Sequence, residues 1–381
     1  MKIGIVVPFS WSFWGAVVEH AELQAAALEE LGHEVRLIMG NDPPGQFTRV
    51  LHPRVGRHGN PPPNVIAVGR SVIVPANGSL PNLVLSPRTY ARIYRALEKE
   101  RFDVLHLHEP MTPAICTAVL VMARTPVVAT FHASGNLGWM RYGGPLWGFL
   151  IDRIDHRIAV SERARASQNR WLPGDYEVIP NGVLVPDSAP AGDREHRIVF
   201  AGRQEPRKGL QVLLRAWPEL HRRSGLRLTV AGADPLAVRL LLTRLGVSDE
   251  GIDVVGFLSQ DELTRTLLGA KALVAPSLGQ ESFGMVLTRA FACALPAVAS
   301  DIPGYREVLD PRASIAVRPA DPSALTDAVC DIVADEPRRQ ALGEAARELA
   351  AARYSWGVIA RRLEEIYGQV TGIGRDEARA A

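Results

Sequence analysis

A chain of 381 residues is longer than one ordinary hydrophobic core accommodates and predicts two domains of under about 200 residues each. Apolar residues at 47% and charged residues at 22% exclude a disordered or fibrous chain, and a net charge of +2 excludes a general attraction to nucleic acid. The three cysteines, Cys116, Cys293 and Cys330, are odd in number and sit among apolar neighbours, which reads as free thiols in a reducing compartment.

Residues 3–7 are a near-continuous apolar run that ends at Pro8 without a small-residue cleavage pattern, so they read as a buried parallel strand and not a signal segment. No uncharged apolar run reaches the roughly 18 residues that span a bilayer, which predicts a cytoplasmic protein, at most peripheral to a membrane. The loop 9–16 carries Phe9, Trp11, Phe13 and Trp14 ahead of Gly15 and leads into a helix at 17–31. Glycine in such a loop lets backbone amides approach a phosphate. A loop this short offers little cover for four aromatics, so some of them are expected to touch an apolar or sugar ligand.

A strand at 34–39 precedes a long irregular stretch, 41–64, with Arg49, Arg54, Arg57 and His58, which is expected to be functional. Two short strands, 65–68 and 72–75, follow. The helix at 87–101 places Arg88, Arg92, Arg95 and Lys99 on one face, flanked by Tyr90 and Tyr94. Ordinary solvated faces mix signs; this single-signed stripe suits an anionic lipid surface.

The strand at 103–107 puts His106 and His108 on one side. No third ligand accompanies them at characteristic spacing, so no metal site is expected. His132 ends the strand at 127–131, and strand C-termini face the ligand crevice of an open α/β sheet. The glycine-rich stretch 135–147, with Trp139, Met140, Tyr142 and Trp147, is a candidate lid or lipid contact. Ser161 reads as a helix N-cap, and the polar, proline-bearing stretch 186–195 reads as a linker.

The second half repeats the alternation, with strands at 197–201, 227–231, 253–256, 272–275 and 296–300, as a parallel sheet requires. Two of its turns carry chemistry. Gly202-Arg203-Gln204-Glu205-Pro206-Arg207-Lys208-Gly209 follows one strand and brings three cations. Glu281-Ser282-Phe283-Gly284 follows another and opens a helix, where unpaired N–H groups make an anion site. Two crossovers aiming amides and positive charge at one crevice suit a nucleotide diphosphate.

These two turns and the later Ser300-Asp301-Ile302-Pro303-Gly304, in that order, resemble the retaining glycosyltransferases of family 4, which have the GT-B fold. Within it the chain resembles the phosphatidylinositol alpha-mannosyltransferases, through His108-Glu109-Pro110, Ala129-Thr130-Phe131-His132, Pro180-Asn181-Gly182-Val183 and Glu205-Pro206-Arg207-Lys208-Gly209. The resemblance implies an α/β fold of two Rossmann-like parallel-sheet domains facing a central cleft. Residues 1–185 would form an acceptor and membrane domain and 196–353 a nucleotide-sugar domain. Beyond them, 354–370 would be a helix returning to the first domain, and 371–381 a tail.

By the same resemblance, a hexose, mannose from GDP-mannose, would pass with retention to a phosphatidylinositol-type lipid at the inner face of the plasma membrane. Arg203 and Lys208 would neutralise the diphosphate, with Gly202 and Gly15 bringing backbone close to it. Glu281 would bind sugar hydroxyls, Ser282 and the amides of Phe283 and Gly284 would meet the phosphates, and His132 would touch the sugar. The basic helix would dock on anionic membrane. No cofactor or metal is expected beyond the nucleotide-sugar donor. The chain departs from the pattern at Ala16, where a second glycine is usual, and at Arg289, where a second glutamate is usual. The spacing from Arg203 to Lys208 is also one residue short. Arg289 is expected to face the donor. Another donor with a soluble acceptor, or a non-catalytic relative that binds nucleotide or membrane, stays open.

Overall fold

The computed structural model describes residues 1–13, 15–51, 60–73, 82–84, 86, 88–134, 145–187 and 194–373. The chain divides into two compact units, Met1–Gly182 with Trp356–Ala381, and Val183–Ser355.

The strands of the first unit are β1 (Lys2–Ser10), β2 (Glu34–Gly40), β3 (Val65–Ala67), β4 (Ser71–Ile73), β5 (Asn82–Val84), β6 (Val104–His108), β7 (Val127–Phe131), β8 (His156–Ala159) and β9 (Glu177–Val178). Their order is β3-β2-β1-β6-β7-β8-β9, all parallel, with β5 antiparallel to β1 and to β4. Ile3, Ile5 and Val7 are fully buried, as a strand covered on both faces demands. The order reverses direction at β1 and β6, which makes their C-terminal ends a topological switch point.

The helix Trp356–Thr371 packs on the helix Ala16–Glu30, and its Trp356, Ile359, Leu363, Ile366 and Tyr367 join the core of β1 and β2. Burial of each is worth about 1.5–3 kcal/mol of gross transfer energy. Gly182 lies under the Trp356 ring, where an added Cβ would come within 2.4 Å of it.

The second unit holds β10 (Arg197–Ala201), β11 (Arg227–Ala231), β12 (Ile252–Gly256), β13 (Ala272–Ala275), β14 (Ala297–Ser300) and β15 (Ser314–Val317). They form a wholly parallel sheet in the order β12-β11-β10-β13-β14-β15. That is the doubly wound dinucleotide-fold order, with its switch point at β10 and β13. Asp234 and Asp321 cap helices that open with Pro235 and Pro322, each accepting an N–H three residues on.

The crossing into the second unit is at Gly182–Val183, ahead of the stretch 186–195 expected as the linker, whose residues 188–193 lie outside the described residues. Both ends of that stretch are tied to the second unit. Arg347 donates to the carbonyl of Pro186, and Arg194 donates to those of Leu267, Leu268, Ala270, Cys293 and Ala294. One arginine thereby satisfies the open carbonyls of two helix ends, a role that composition does not reveal.

Inside the first unit, Tyr367 Oη lies 2.6 Å from His106 Nδ1 and accepts from Gln24 Nε2 at 3.1 Å, all three residues being buried. Tyr367→Phe removes a partner from two buried polar groups and is expected to cost about 1–3 kcal/mol. The measurement is hydrogen exchange of the first unit's strands, which should lose protection while those of the second unit keep theirs.

Candidate functional site

In the second unit, the loops after three adjacent strands, β10, β13 and β14, are pressed together at glycines. Gly209 has φ +74°, and a Cβ there would fall 1.8 Å from the Pro276 carbonyl oxygen. Gly304 lies so close that a Cβ would fall 2.0 Å from the carbonyl oxygen of Glu281. Leu278 N donates to Arg207 O at 2.7 Å and locks the first two loops in register.

This proximity assembles the charged groups. Lys208 Nζ lies 2.8 Å from Glu281 Oε1 and 3.0 Å from Oε2, and Arg207 Nη1 lies 3.0 Å from Oε1. Glu205 holds Arg207 at 2.6 Å through one oxygen and Arg203 at 3.1 Å through the other. Glu281 is buried, while the Arg203 side chain is 52% exposed and stands at the outer end of the chain of charges. Ser277 Oγ reaches Glu281 Oε1 at 3.4 Å and Tyr305 Oη at 2.8 Å. Burial, and then the Glu281 charge, push the Tyr305 hydroxyl well above its ordinary range, so it stays neutral.

Gly284, at φ +94°, is the N-cap of the helix Met285–Ala292, with Phe283 buried just before it and Ser282 half-buried. Their backbone therefore sits at that helix's positive end. Gly202 is packed under Gly232, where an added Cβ would come within 2.9 Å of the Gly202 oxygen. Arg289 is half-buried on the second turn of the same helix. The cations expected to act were Arg203 and Lys208; the structure adds Arg207, which bridges Glu205 and Glu281, and Glu205 itself. Their adjacency in the sequence was visible, but charge alternation along a turn does not say which charges meet.

The first unit brings four histidines together at the ends of β6 and β7. His106 and His108 stack with centroids 4.9 Å apart, and His108 Nδ1 lies 2.9 Å from His132 Nε2. His20, from the helix Ala16–Glu30, meets the rings of His108 and His132 edge-on and lies 4.8 Å from the Trp356 ring. Burial lowers all four: His106 to about 3, His132 to about 4, His20 and His108 well below the ordinary 6.5. All are therefore neutral imidazoles at pH 7. Glu109 accepts the N–H of His132 at 2.9 Å, and burial raises its carboxyl to about 7.

Among the described residues, His20, His108 and His132 are the group whose ligand atoms, within 4.8 Å of one another, could take a metal. Neutral imidazoles are suitable zinc ligands, but tetrahedral ligation would need nitrogens about 3.3 Å apart. His108 Nδ1 is engaged with His132 Nε2, while His108 Nε2 and His20 Nδ1 have no hydrogen-bond partner among the described residues.

Gly15 is extended, with φ −166°, and caps the helix that begins at Ala16. Neither position needs a glycine there, and an added Cβ on Gly15 would meet nothing within 4 Å. Of the loop aromatics, some of which are expected to touch a ligand, Trp11 and Phe13 are buried and Phe9 is half-buried; Trp14 lies outside the described residues. The loop is drawn inward because buried Asp42 accepts from Ser10 Oγ at 2.7 Å and Ser71 Oγ at 2.6 Å, while Ser12 Oγ bonds Asn41. Residues 135–144 of the candidate lid and 52–59 of the irregular stretch also lie outside the described residues.

The helix Arg88–Glu100 buries Thr89, Ile93 and Ala96 and exposes Arg88, Arg92, Arg95, Lys99, Tyr90 and Tyr94. No helix among the described residues is long and apolar enough to cross a membrane.

Comparison with known proteins agrees with this architecture. Residues 17–185 match the family described as Glycosyltransferase Family 4, and residues 195–335 match Glycosyl transferases group 1. The chain is 34% identical to the phosphatidyl-myo-inositol mannosyltransferase of Mycolicibacterium smegmatis, over 98% of this chain and 95% of that one. It is 32% identical to the enzyme of the same name from Propionibacterium freudenreichii, over 96% and 94%. Among solved structures, the sucrose-phosphate synthase of Thermosynechococcus elongatus superposes with a TM-score of 0.73 at 20% identity, over 98% of this chain and 100% of that one. Anabaena HepE in complex with UDP and glucose superposes with a TM-score of 0.72 at 17% identity, over 97% and 100%.

The histidine stack has a consequence for acid stability. Each histidine's folded value lies below its unfolded 6.5, so its contribution is present above about pH 6.5 and is lost as pH falls towards the folded value. Glu109 has the opposite sign: its folded value, about 7, exceeds its unfolded 4.5, so its contribution is lost as pH rises through that window. Four histidines outweigh one glutamate. Denaturant titration should show the first unit losing stability below about pH 6.5, by at most about 1.4 kcal/mol per pH unit for each net proton. In Glu109→Gln the loss should be steeper.

Proposed function

The chain belongs to glycosyltransferase family 4 and is a glycosyltransferase; from that premise we propose that it transfers mannose from GDP-mannose, with retention, to a phosphatidylinositol-type lipid. The observation that carries this reading is the similarity, running nearly end to end, to relatives named for that reaction. The geometry of the second unit supports a nucleotide-diphosphate donor. Lys208 and Arg207 converge with Glu281 at the switch point of a dinucleotide-type sheet, beside the N-terminus of the helix Met285–Ala292. HepE, of the same fold, is bound to UDP and glucose.

In this reading the bond between the anomeric carbon and the diphosphate oxygen breaks and negative charge grows on the leaving group. Arg203 and Lys208 stabilise that charge, with the amides of Phe283 and Gly284. Glu281 accepts hydrogen bonds from the sugar hydroxyls while Lys208 and Arg207 hold it in place. His132 contacts the sugar as a neutral donor or acceptor. The acceptor hydroxyl attacks from the face the leaving group departs, and the leaving phosphate takes its proton. No second carboxylate nucleophile at the roughly 5 Å spacing of retaining glycosidases is assigned. The exposed stripe Arg88, Arg92, Arg95 and Lys99 brings the enzyme to anionic lipid at the cytoplasmic face of the membrane.

Transfer of labelled mannose from GDP-mannose to phosphatidylinositol in vesicles tests the reading. Transfer to soluble acceptors alone, or from another nucleotide-sugar alone, overturns it. Arg203→Ala and Lys208→Ala each remove a charge-assisted contact of about 1.5–3 kcal/mol and should lower turnover at least tenfold while weakening nucleotide binding. Near wild-type turnover in both would sink the clamp.

Arg289 stands where a ribose-facing glutamate is usual, and a guanidinium can only donate. Arg289→Glu should reorder affinities among nucleotide-sugars without unfolding the protein. Calorimetry of both forms against a donor panel measures this; an unchanged order assigns Arg289 a structural role.

A further inference from the structure

The strand β6 supplies two histidines, His106 and His108, and a pair on one strand is too few to hold an ion. The fold adds His132 from just after β7 and His20 from the helix Ala16–Glu30. The rings of His20, His108 and His132 stand at the corners of a nearly equilateral triangle, with centroids 5.1, 5.2 and 5.3 Å apart. Three imidazoles ligating one zinc ion at about 2 Å have centroids about 5 Å apart, because each centroid lies about 3 Å from the metal and the bonds are tetrahedral. The ring spacing is already that of a three-histidine site.

The nitrogens point the same way. His20 is 5% exposed and His108 0%, yet His20 Nδ1 and His108 Nε2 have no hydrogen-bond partner among the described residues. Buried polar atoms are rarely left so, because desolvation is then uncompensated. A neutral imidazole offers one lone pair, and one from each ring is what a borderline divalent cation takes. His108 Nδ1 and His132 Nε2, 2.9 Å apart, share one proton. Spread by about half an ångström, the same two rings would share one metal ion. The ligand atoms of all three residues lie within 4.8 Å of one another, a gap that side-chain rotation closes.

The ligands are also held from behind. His106 stacks on His108 and is itself fixed by Tyr367 and Thr130, while Glu109 accepts the backbone N–H of His132. Such support orients ligands before the ion arrives.

We propose that His20, His108 and His132 form a binding site for a divalent transition-metal ion, zinc above all, with the fourth position left open. Imidazole nitrogen favours zinc and its neighbours over magnesium and calcium, which need oxygen. A bound ion takes the His132 side chain as a ligand. Resting on the reading given above, in which that side chain contacts the sugar, occupancy of the site inhibits transfer.

The test uses the full chain freed of metal with a chelator. Cobalt(II) is the probe, since tetrahedral ligation gives it a visible spectrum, and zinc should displace it at one equivalent. His20→Gln removes one ligand and should weaken zinc binding at least tenfold and abolish the spectrum. His196→Gln, in the second unit, should change neither. Zinc should also slow hydrogen exchange of β6 and β7 in the unaltered protein, by up to about a hundredfold at a hundred times the Kd, and leave β10 and β11 as they were. That measurement needs no variant to fold. In transfer assays zinc should inhibit wild type more than His20→Gln; complexation of the donor by zinc, common to both, does not produce that difference. Absence of one-equivalent binding by wild type overturns the site. So does undiminished binding in His20→Gln with native exchange of β6 and β7, which would place the ion on Cys330 or on surface imidazoles. Zinc bound through His20 without inhibition of transfer keeps the site and takes His132 away from the sugar instead.

Discussion

A carboxylate withdrawn from water is tolerable only when cations reach it, and Glu281 is held by Lys208 and Arg207 at about hydrogen-bond distance. Those cations come from the loop after β10, whereas Glu281 comes from the loop after β13. The pairing depends on backbones approaching more closely than any side chain allows, at Gly209 against Pro276 and at Gly304 against Glu281. Parallel strands set the loops side by side, and the glycines close the remaining distance. Glu205 then holds Arg203 and Arg207 apart by one oxygen each, so the charges form an ordered chain from a buried end to an exposed one.

The first unit solves a different problem. His20, His106 and His108 are buried and His132 and Glu109 half-buried at the ends of its central strands, and charging them there would be costly. Burial keeps the imidazoles neutral and raises Glu109, and Tyr367, Gln24 and Thr130 occupy the nitrogens of His106. Tyr367 and Trp356 both belong to the last helix, so a segment distant in sequence completes this polar interior. His132 takes its place from two directions, through His108 and through the Glu109 carboxylate on its backbone.

Much of this organisation could be read in the sequence. Alternating apolar strands and helices, with no long apolar span, specify two parallel-sheet units, because strands covered on both faces must be apolar throughout. Gly202 to Gly209 and Glu281 to Gly284 each follow a strand and open a helix, so their place at the sheet ends follows from local chemistry. The period of Arg88, Arg92, Arg95 and Lys99 likewise specifies one helix face.

Other features arise only when distant segments meet. That Arg207 joins Glu205 to Glu281, that Trp11 and Phe13 turn inward under the pull of Asp42, and that Arg194 ties a linker-like stretch to two helix ends are contacts across long sequence separations. The same is true of His20 meeting His108 and His132. Local pattern determines which residues face inward or outward on their own element. Which outward-facing groups then become partners is decided by the strand order and by the few glycines that let backbones touch, and these act only in three dimensions.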